Sequence, residues 1–446
     1  MTSFISIELP YSVNAKHYYA ALADMPWAVW LDSGGMARYD IITAAPRRSI
    51  VIEASDTAID PFKWIRSELG ERADVIPEVP FAGGALGYWG YDLAHYLTPG
   101  DWATTKCSEN APPDMAVGIY DWALVLDHDR KIARIVSHRR FNETNQLLEE
   151  ILRRLQGHIR LPVDDFRVSG KISSNFTLDS YANAFTVIQK YLLSGDCYQI
   201  NLAQCFKARA RGDAFGAYLK LREMSPAPYS AFLNLPQLQV LCASPECFLH
   251  VRNGCVESRP IKGTRPRSKD KKQDQLLAEE LQGHPKDRAE NLMIVDMLRN
   301  DLGKSCLPGT VSVPKLFEVE SYSNVHHLVS TVKGQLAEKK DAVSILRDCF
   351  PGASVTGAPK LRAMQIIDHL EPDRRGIYCG TIGYIGFDGS MDSNIAIRTM
   401  VYSNNEIRCW AGGGIVADSE KKAEYQETLD KASAMLDLMQ NYGGER

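Results

Sequence analysis

The sequence predicts an α+β fold with large, mostly antiparallel sheets. Runs with strand composition cluster with one another, and glycines punctuate them. Helix-period segments come in groups instead of alternating one by one with the strands. Strict alternation would favour a doubly wound parallel sheet, so its absence from the sequence favours the α+β class.

The first third of the chain reads as strands followed by one helix. Strand-like runs cover residues 27–34, 81–92 and 115–129. Segment 131–140 reads as the hairpin partner of the last run, and segment 142–159 has the helical period. This order predicts a hairpin-rich sheet covered by a helix.

The rest of the chain mixes helices with strands. It begins with a helix over 178–196, which Thr177 or Asp179 can cap and Gly195 can end. Period and composition predict the following elements: strands at 239–251, 376–387, 393–403 and 406–416, and helices at 286–301, 360–370 and 418–442.

A domain boundary is predicted at residues 160–177, which are rich in turn residues and have no sustained period. It separates an N-terminal region, 1–160, from a C-terminal region, 177–440. We expect the two regions to form one interlocked globule.

Composition excludes several classes of function. The 446 residues are 45% hydrophobic and 24% charged, which is ordinary for globular proteins. A net charge of −4 gives no global reason to bind nucleic acid or an anionic membrane. The N-terminus has no signal-peptide pattern, and ten cysteines lack the spacing of a zinc site. These features predict a cytoplasmic chain with reduced thiols.

Acidic residues recur at helical spacing on two predicted helices. Glu424, Glu427 and Lys431 fall within about 60° of each other on the C-terminal helix. Asp287 and Glu290 repeat the i, i+3 spacing on an earlier helix. If the two pairs face each other, they form the all-oxygen environment that Mg²⁺ prefers. The alternative is that both are solvated faces that contact lysines.

Two further motifs have open interpretations. Gly412 and Gly414 belong to a glycine run at a strand end, whose N–H groups can approach a carboxylate or phosphate closely, although a tight turn explains the run equally well. His326 and His327 precede an alternating run, which predicts that they face opposite sides of a strand. One can then reach a cleft while the other packs, or both can be structural.

Nine segments, in order, resemble the chorismate-utilising enzymes. They are ASPECF (243–248), RPIKGT (259–264), DRAENLMIVDMLRND (287–301), HHLVST (326–331), FPGASVTGAPK (350–360), CGTIGY (379–384), IAIRT (395–399), AGGGIV (411–416) and EYQETLDKA (424–432). The resemblance implies the fold of that family, in which large sheets pack face to face with helices outside. It also implies an enzyme that acts on chorismate.

The resemblance further implies one Mg²⁺ ion that contacts the ring carboxylate of chorismate. Glu290 and Glu427 match its ligands, and Asp287 and Glu424 match outer-shell carboxylates. The positions that match residues holding the substrate carboxylates are Thr264, Tyr378, Arg398, Lys431 and the amides of Gly412 and Gly414.

Lys262 points to one subgroup of the family. Anthranilate synthases usually read PIAGT at this motif, whereas this chain reads PIKGT, as aminodeoxychorismate synthases do. In that subgroup the lysine amine attacks ring position 2 as the 4-hydroxyl leaves, and ammonia then adds at position 4 and expels the lysine. The implied product is 4-amino-4-deoxychorismate, the precursor of 4-aminobenzoate and folate. Glu246 matches the acid of the family, and His327 matches its active-site histidine.

A lysine can act as a nucleophile only when its amine is neutral. A free lysine, with a pKa of about 10.4, is protonated at neutral pH and is then no nucleophile. Desolvation or nearby cations must therefore favour the neutral amine, and Arg259, Arg265 and Arg267 are the candidate cations.

The resemblance also implies partners and leaves alternatives. None of the ten cysteines sits in a glutaminase motif, so a separate glutaminase subunit is the expected ammonia source. The alternative functions are anthranilate synthase component I and a tryptophan-binding regulatory module. The second rests on WLDSGG and RYD, which resemble a tryptophan-binding region and make Ser33, Arg38 and Tyr39 the candidate tryptophan site.

Overall fold

Helices are spread along the whole chain, and the longest lie in its C-terminal half. The computed structural model describes residues 4–53, 59–97, 102, 111–157, 159, 161–322 and 325–443. The helices are α1 (Lys16–Ala20), α2 (Pro61–Leu69), α3 (Ala94–Leu97), α4 (Thr144–Gln156), α5 (Leu178–Leu193), α6 (Phe215–Met224), α7 (Lys271–Gly283), α8 (Pro285–Gly303), α9 (Ala342–Cys349), α10 (Lys360–Leu370) and α11 (Lys421–Asn441).

Strands outnumber helices in the described part of the chain. They are β1 (Ile5–Leu9), β2 (Ala28–Asp32), β3 (Tyr39–Thr43), β4 (Arg48–Ile52), β5 (Gly84–Trp89), β6 (Met115–Tyr120), β7 (Ala123–Asp127), β8 (Ile132–Ser137), β9 (Arg167–Ser174), β10 (Gln199–Arg211), β11 (Tyr229–Asn234), β12 (Gln239–Ser244), β13 (Cys247–Arg252), β14 (Cys255–Arg259), β15 (Ile261–Pro266), β16 (Ser312–Ser321), β17 (Val325–Gln335), β18 (Gly357–Ala358), β19 (Thr381–Gly386), β20 (Met391–Asn394), β21 (Thr399–Ser403) and β22 (Glu406–Ile415).

Two large sheets contain these strands. The larger has the order β1-β8-β7-β3-β2-β11-β12-β21-β22-β10-β18, with β9 also on β10. The smaller has the order β15-β17-β14-β13-β20-β19-β5-β6-β4, with β16 also on β17. Neighbouring strands run antiparallel, as in the pairs β10–β22 and β15–β17. The predicted α+β class with large, mostly antiparallel sheets is confirmed.

The hydrophobic core lies between the sheets, and a second apolar layer lies under the helices. Buried residues of both sheets, such as Val29 and Leu86, belong to one cluster. On the other face of the larger sheet, a second cluster joins Trp30 of β2 to Tyr218 of α6 and Met435 of α11. Burial on this scale supplies the main driving force for folding.

Strands from the N-terminal region are interleaved with strands from the C-terminal region. In the larger sheet β2 pairs with β11, where Leu31 lies opposite Ala231. In the smaller sheet β5 pairs with β19, where Gly87 lies opposite Gly383. Both sheets therefore need strands from both ends of the chain.

Three runs that the sequence predicts as single strands are each divided between the two sheets. Runs 115–129, 239–251 and 393–403 form the pairs β6–β7, β12–β13 and β20–β21, and one strand of each pair lies in each sheet. The single-strand predictions were wrong because apolar composition continues across the break. Glu246 lies in the second break and Arg398 in the third, where the backbone takes a φ of 49°.

The segment predicted as a boundary contains a strand. β9 pairs with β10 beside the end of the C-terminal helix, and its serines and glycine gave no strand signal. Helix α5 begins as predicted, because the Thr177 hydroxyl accepts a hydrogen bond from the Ser180 N–H. Among the described residues, no helix is both long and apolar enough to cross a membrane.

Candidate active site

Lys262 lies on β15, inside a group of ionisable side chains. Its side chain is 16% exposed, and its Nζ lies 3.4 Å from Glu290 Oε2 of α8. The strand bulges here between Ile261 and Thr264, and Gly263 takes a φ of 77°, which favours glycine. A Cβ on Gly263 would also lie 2.8 Å from the Asp287 carboxylate, so glycine lets the strand approach α8.

The arginines near Lys262 are paired with carboxylates. Arg259 bonds to Glu320, and Arg265 bonds to Glu280 and Asp287. Arg267, in turn, bonds to the Asp274 carboxylate. The sequence prediction that these cations act on Lys262 is not supported, because the contact that Lys262 makes is with the carboxylate of Glu290.

Side chains of the two helices that carry the predicted acidic pairs approach each other at one point. Lys286 Nζ of α8 lies 3.9 Å from Glu424 Oε1 of α11. A Cβ on Gly413 would lie 3.1 Å from Glu424 Oε2 and 3.5 Å from Glu427 Oε1. Glu427 pairs with Lys431 at i, i+4 and both side chains are about half exposed, as the alternative of a solvated face expects, whereas Glu424 is buried.

A basic side chain faces each of the four carboxylates. Lys431 lies 2.5 Å from Glu427, and Asp287 has both His284 at 3.0 Å and Arg265 at 3.1 Å. Glu424 is buried, and burial, helped by the charge of Glu427, raises its pKa. Its Oε1 accepts a hydrogen bond from the Ser419 hydroxyl, while its Oε2 has no partner within the described residues.

The donor chemistry of this group fits Mg²⁺. Its ligands would be carboxylate oxygens on two adjacent helices, and one buried oxygen of Glu424 is available to accept a contact. Among the described residues, no three metal-ligating side chains are close enough together to hold a metal ion. The carboxylates are paired with lysines and an arginine instead.

Glu246 is buried between the sheets, beside Lys262. Burial raises its pKa to about 7, although hydrogen bonds from the Ser354 hydroxyl and the Ile261 N–H, with the charge of Lys262, oppose the rise. The carboxyl group is therefore half protonated near neutral pH. A carboxyl group in this state can donate a proton and accept it again.

His327 and Arg398 line the same space. The His327 ring bonds to the Thr264 hydroxyl at 2.9 Å, and burial with the nearby charge of Arg398 lowers its pKa to about 4. Arg398 is partly buried, and no carboxylate of the described chain pairs with its guanidinium. His326 faces away, bonding to Ser321 and Asp274, so the two histidines lie on opposite sides as predicted.

The glycine strand and Tyr378 complete the wall of the site. The rings of Tyr378 and Trp410 are stacked with centroids 6.4 Å apart. Lys431 donates a hydrogen bond to the Gly412 carbonyl oxygen. A Cβ on Gly414 would lie 3.5 Å from Lys262 Nζ, so the glycine run belongs to the site and does not form a tight turn.

Two side chains of the site were missed in the sequence. Gln199 and Asn201 of β10 are 1% and 6% exposed, and the carbonyl oxygen of each side chain has no hydrogen-bond partner in the part of the chain described. Amides inside a strand have no distinctive spacing, so only their burial without a partner identifies them.

The candidate tryptophan residues lie around a different cavity, of about 450 Å³. Arg38 and Tyr39 line it, and Arg38 binds both carboxylate oxygens of Asp127. Ser33 is buried behind the wall, where its hydroxyl accepts a hydrogen bond from the Gly35 N–H. The structure brings two of the three residues to the cavity.

All nine cysteines among the described residues are free, in agreement with the expectation of reduced thiols. Eight of them are buried, and Cys255 is exposed. The tenth, Cys107, lies outside the described residues.

Comparisons with known proteins agree with this geometry. Aminodeoxychorismate synthase component 1 of Escherichia coli (strain K12) is 45% identical over 95% of each chain. Anthranilate synthase component 1 of Aquifex aeolicus is 39% identical over 80% of this chain and 74% of the relative. The crystal structure of anthranilate synthase component I from Streptococcus pneumoniae is 34% identical, with a TM-score of 0.78 over 90% of this chain and 92% of the other. The family profile described as chorismate binding enzyme matches residues 27–437, and the chain belongs to this family.

Proposed function

We propose that the chain is the chorismate-binding component of an aminodeoxychorismate synthase, converting chorismate and ammonia to 4-amino-4-deoxychorismate. One observation carries the proposal: Lys262 lies in the site beside buried Glu246, whose pKa is raised to about 7. A nucleophilic amine and a carboxyl acid at one site suit the displacement of a hydroxyl group. Three relatives with this name are 42–45% identical over nearly the whole chain.

In this proposal, the substrate binds through its two carboxylates. The Arg398 guanidinium has no counter-ion of its own and can pair with one of them. The N–H groups of Gly412 and Gly414, the Thr264 hydroxyl and the Tyr378 hydroxyl are further donors. Lys431 adds positive charge at the same wall. These contacts fix the ring next to Lys262, which lowers the entropic cost of the reaction.

The first step forms a bond between Lys262 Nζ and ring carbon 2. The two ring double bonds shift, and the bond from carbon 4 to its hydroxyl oxygen breaks. Glu246 donates its proton to that oxygen, which leaves as water, because hydroxide is a poor leaving group. Lys262 must enter this step as the neutral amine, so its contact with Glu290 must be broken first.

The second step reverses the shift. Ammonia forms a bond to carbon 4, the double bonds return, and the bond between carbon 2 and Lys262 Nζ breaks. The lysine leaves as a neutral amine, and the new amino group gives one proton to Glu246, which restores the acid. The enolpyruvyl group is not involved, so it is retained in the product. His327, neutral at pH 7, helps to orient Thr264 through their hydrogen bond.

Four carboxylates are the proposed holders of Mg²⁺: Glu290 and Glu427 as ligands, with Asp287 and Glu424 behind them. When bound, the ion supplies positive charge to the ring carboxylate of the substrate. Their present basic partners, Lys262 among them, would then take up other contacts.

The proposed ammonia source is a separate glutaminase subunit. The relatives are named component 1, which implies a second component. We also propose that the chain works in the cytoplasm, because free cysteines suit a reducing compartment. Given ammonium salts instead of glutamine, the isolated chain should still turn over chorismate.

A second candidate function is tryptophan binding at the cavity near Tyr39. The cavity of about 450 Å³ has room for an amino acid with a large ring, and aromatic and charged side chains line it. Arg38, Tyr39 and the backbone next to Ser33 are the proposed contacts. Tryptophan can be bound there in addition to chorismate turnover elsewhere.

The test of the main proposal is the product formed from chorismate, Mg²⁺ and ammonium. Mass spectrometry should find a product that keeps the enolpyruvyl group. Lys262→Ala should lower its rate by about 10³-fold or more, because the covalent route is closed. Lys333→Ala is the control, since that lysine pairs with Glu257 on the same sheet. Pyruvate and anthranilate, formed equally by Lys262→Ala, would assign the chain to the anthranilate synthases.

A further inference from the structure

Two buried carbonyl oxygens on β10 have no hydrogen-bond partner in the described chain. They are Gln199 Oε1 and Asn201 Oδ1, on side chains that are 1% and 6% exposed. Leaving a buried acceptor unsatisfied costs about 1–3 kcal/mol. Native structures satisfy most such groups, so two unsatisfied acceptors side by side suggest that a ligand supplies the donors.

The two amides point to the same face of the larger sheet, and Lys262 of the smaller sheet approaches that face at Gly414. Gln199 and Asn201 are two residues apart on β10, so their side chains point to the same face. A Cβ on Gly412 would lie 2.7 Å from Asn201 Oδ1, and a Cβ on Gly414 would lie 2.5 Å from Gln199 Nε2 and 3.5 Å from Lys262 Nζ. Glycine at both positions leaves room for the amides.

The ligand that fits these acceptors must carry hydrogen-bond donors. The two carboxylates of chorismate and its ether oxygen accept hydrogen bonds and do not donate them. Its single donor, the 4-hydroxyl group, departs in the first proposed step. Ammonia brings three N–H donors and arrives after that step, so it can satisfy both amides.

We propose that the side-chain carbonyl oxygens of Asn201 and Gln199 form the subsite that receives ammonia next to Lys262. This inference rests on the proposed function. Two N–H groups of ammonia donate to the amides, which leaves the lone pair free to face ring carbon 4. The new bond joins nitrogen to carbon 4 while the bond from carbon 2 to Lys262 breaks, and no other reactant is needed.

The test is Asn201→Leu in the full chain, assayed with ammonium chloride and chorismate. Losing one acceptor should raise the KM for ammonium about 10-fold, which corresponds to about 1.4 kcal/mol. The KM for chorismate should change by less than about 2-fold, because the substrate carboxylates make no contact with the lost oxygen. Asn201→Asp keeps an acceptor and should restore the KM for ammonium more than Leu does.

Two further variants distinguish a loss of ammonia binding from a general loss of structure. Asn201→Ala is smaller than the native residue and has no side-chain acceptor, so it should repeat the rise in the KM for ammonium if Asn201→Leu does not fold. Asn234→Leu is the matched control, because Asn234 lies on β11 and donates its hydrogen bond to the Ala23 carbonyl oxygen. It should leave both KM values unchanged.

The outcomes separate this inference from the proposed function. If the wild-type chain aminates chorismate and Asn201→Leu or Asn201→Ala raises both KM values in parallel, or neither, the ammonia subsite is wrong and the proposed function stands. If the wild-type chain does not aminate chorismate with ammonium, the proposed function fails and the subsite fails with it.

Discussion

The site around Lys262 and the cavity beside Tyr39 both contain many charges, but they differ in how those charges are neutralised. Around the cavity, Arg38 pairs with Asp127, and Arg222 pairs with Asp32. In the site, Arg398 has no carboxylate partner among the described residues, and Glu246 is buried with a pKa of about 7. A buried carboxyl group with a raised pKa and a cation without a carboxylate partner are both costly, so they indicate where a ligand is to be bound and transformed.

The comparison predicts that changes in the site affect turnover, whereas changes around the cavity affect binding and stability. The largest expected effect is on Glu246. Glu246→Gln should lower kcat/KM for chorismate by about 10²–10⁴-fold, because the amide cannot protonate the leaving hydroxyl. Ammonium-dependent turnover measures this effect, and Asp430→Asn, on the exposed side of α11, is the control.

The same group predicts a pH dependence. The acid form of Glu246 is needed, and its pKa is raised to about 7, so its contribution to kcat/KM should fall as the pH rises above about 7. The need for a neutral Lys262 acts in the opposite direction, so the slope of the profile should change near pH 7. His327 adds no further limb between pH 5 and 8, since its pKa is lowered to about 4. A profile whose slope does not change near pH 7, in the wild type as in Glu246→Gln, would contradict the role of Glu246.

Arg398 tests whether the unpaired guanidinium is a substrate contact. Arg398→Met should raise the KM for chorismate by about 10–100-fold, because a hydrogen bond to a charged group contributes about 1.5–3 kcal/mol. Arg66→Met is the control, since that arginine is exposed and pairs with Asp341. Equal KM values for wild type and Arg398→Met would show that the carboxylates bind elsewhere.

Glu427 tests the magnesium proposal. Glu427→Gln should raise the Mg²⁺ concentration needed for half-maximal turnover by about 10-fold, because it replaces a charged oxygen ligand with a neutral one. Calorimetric titration of Mg²⁺ into the chain without substrate gives a second measurement. If both titrations match the wild type, Glu427 is not a ligand.

The smallest effect on turnover is expected at the cavity. Arg38→Met removes the partner of Asp127 and should lower the free energy of unfolding by up to about 1 kcal/mol, since Arg38 is about one-third exposed. Turnover should stay within about 2-fold of wild type, while tryptophan binding, followed by calorimetry, should weaken. A large loss of turnover would mean that the cavity and the site are coupled, which would break the comparison.

Much of the fold could be predicted from the sequence, because period and capping are local signals. Thr177 caps α5, and the helices that carry Glu290 and Glu427 have the expected extents. The three divided runs could not be predicted, since the positions where the chain leaves one sheet for the other have ordinary composition. The order of strands within a sheet depends on contacts far apart in the chain, which a local pattern does not contain.

The residues of the candidate site were also only partly predictable from the sequence. Lys262, Glu246 and the four carboxylates were found because their motifs resemble a known family. Gln199 and Asn201 were missed, because an amide in a strand becomes informative only when its partners are known to be absent. The pairing of Lys262 with Glu290 was also unpredictable, since residues from β15 and α8 meet only in the folded chain.

The pairing of β5 with β19 has a consequence for how the protein is made. The two strands are about 300 residues apart in the chain, so at about 5–20 residues per second β5 leaves the ribosome roughly 15–60 s before its partner does. During that interval the nascent chain exposes an open, apolar strand edge, and such edges promote aggregation. We therefore expect the protein to depend on chaperones during synthesis, and a prematurely terminated chain to be degraded or to aggregate.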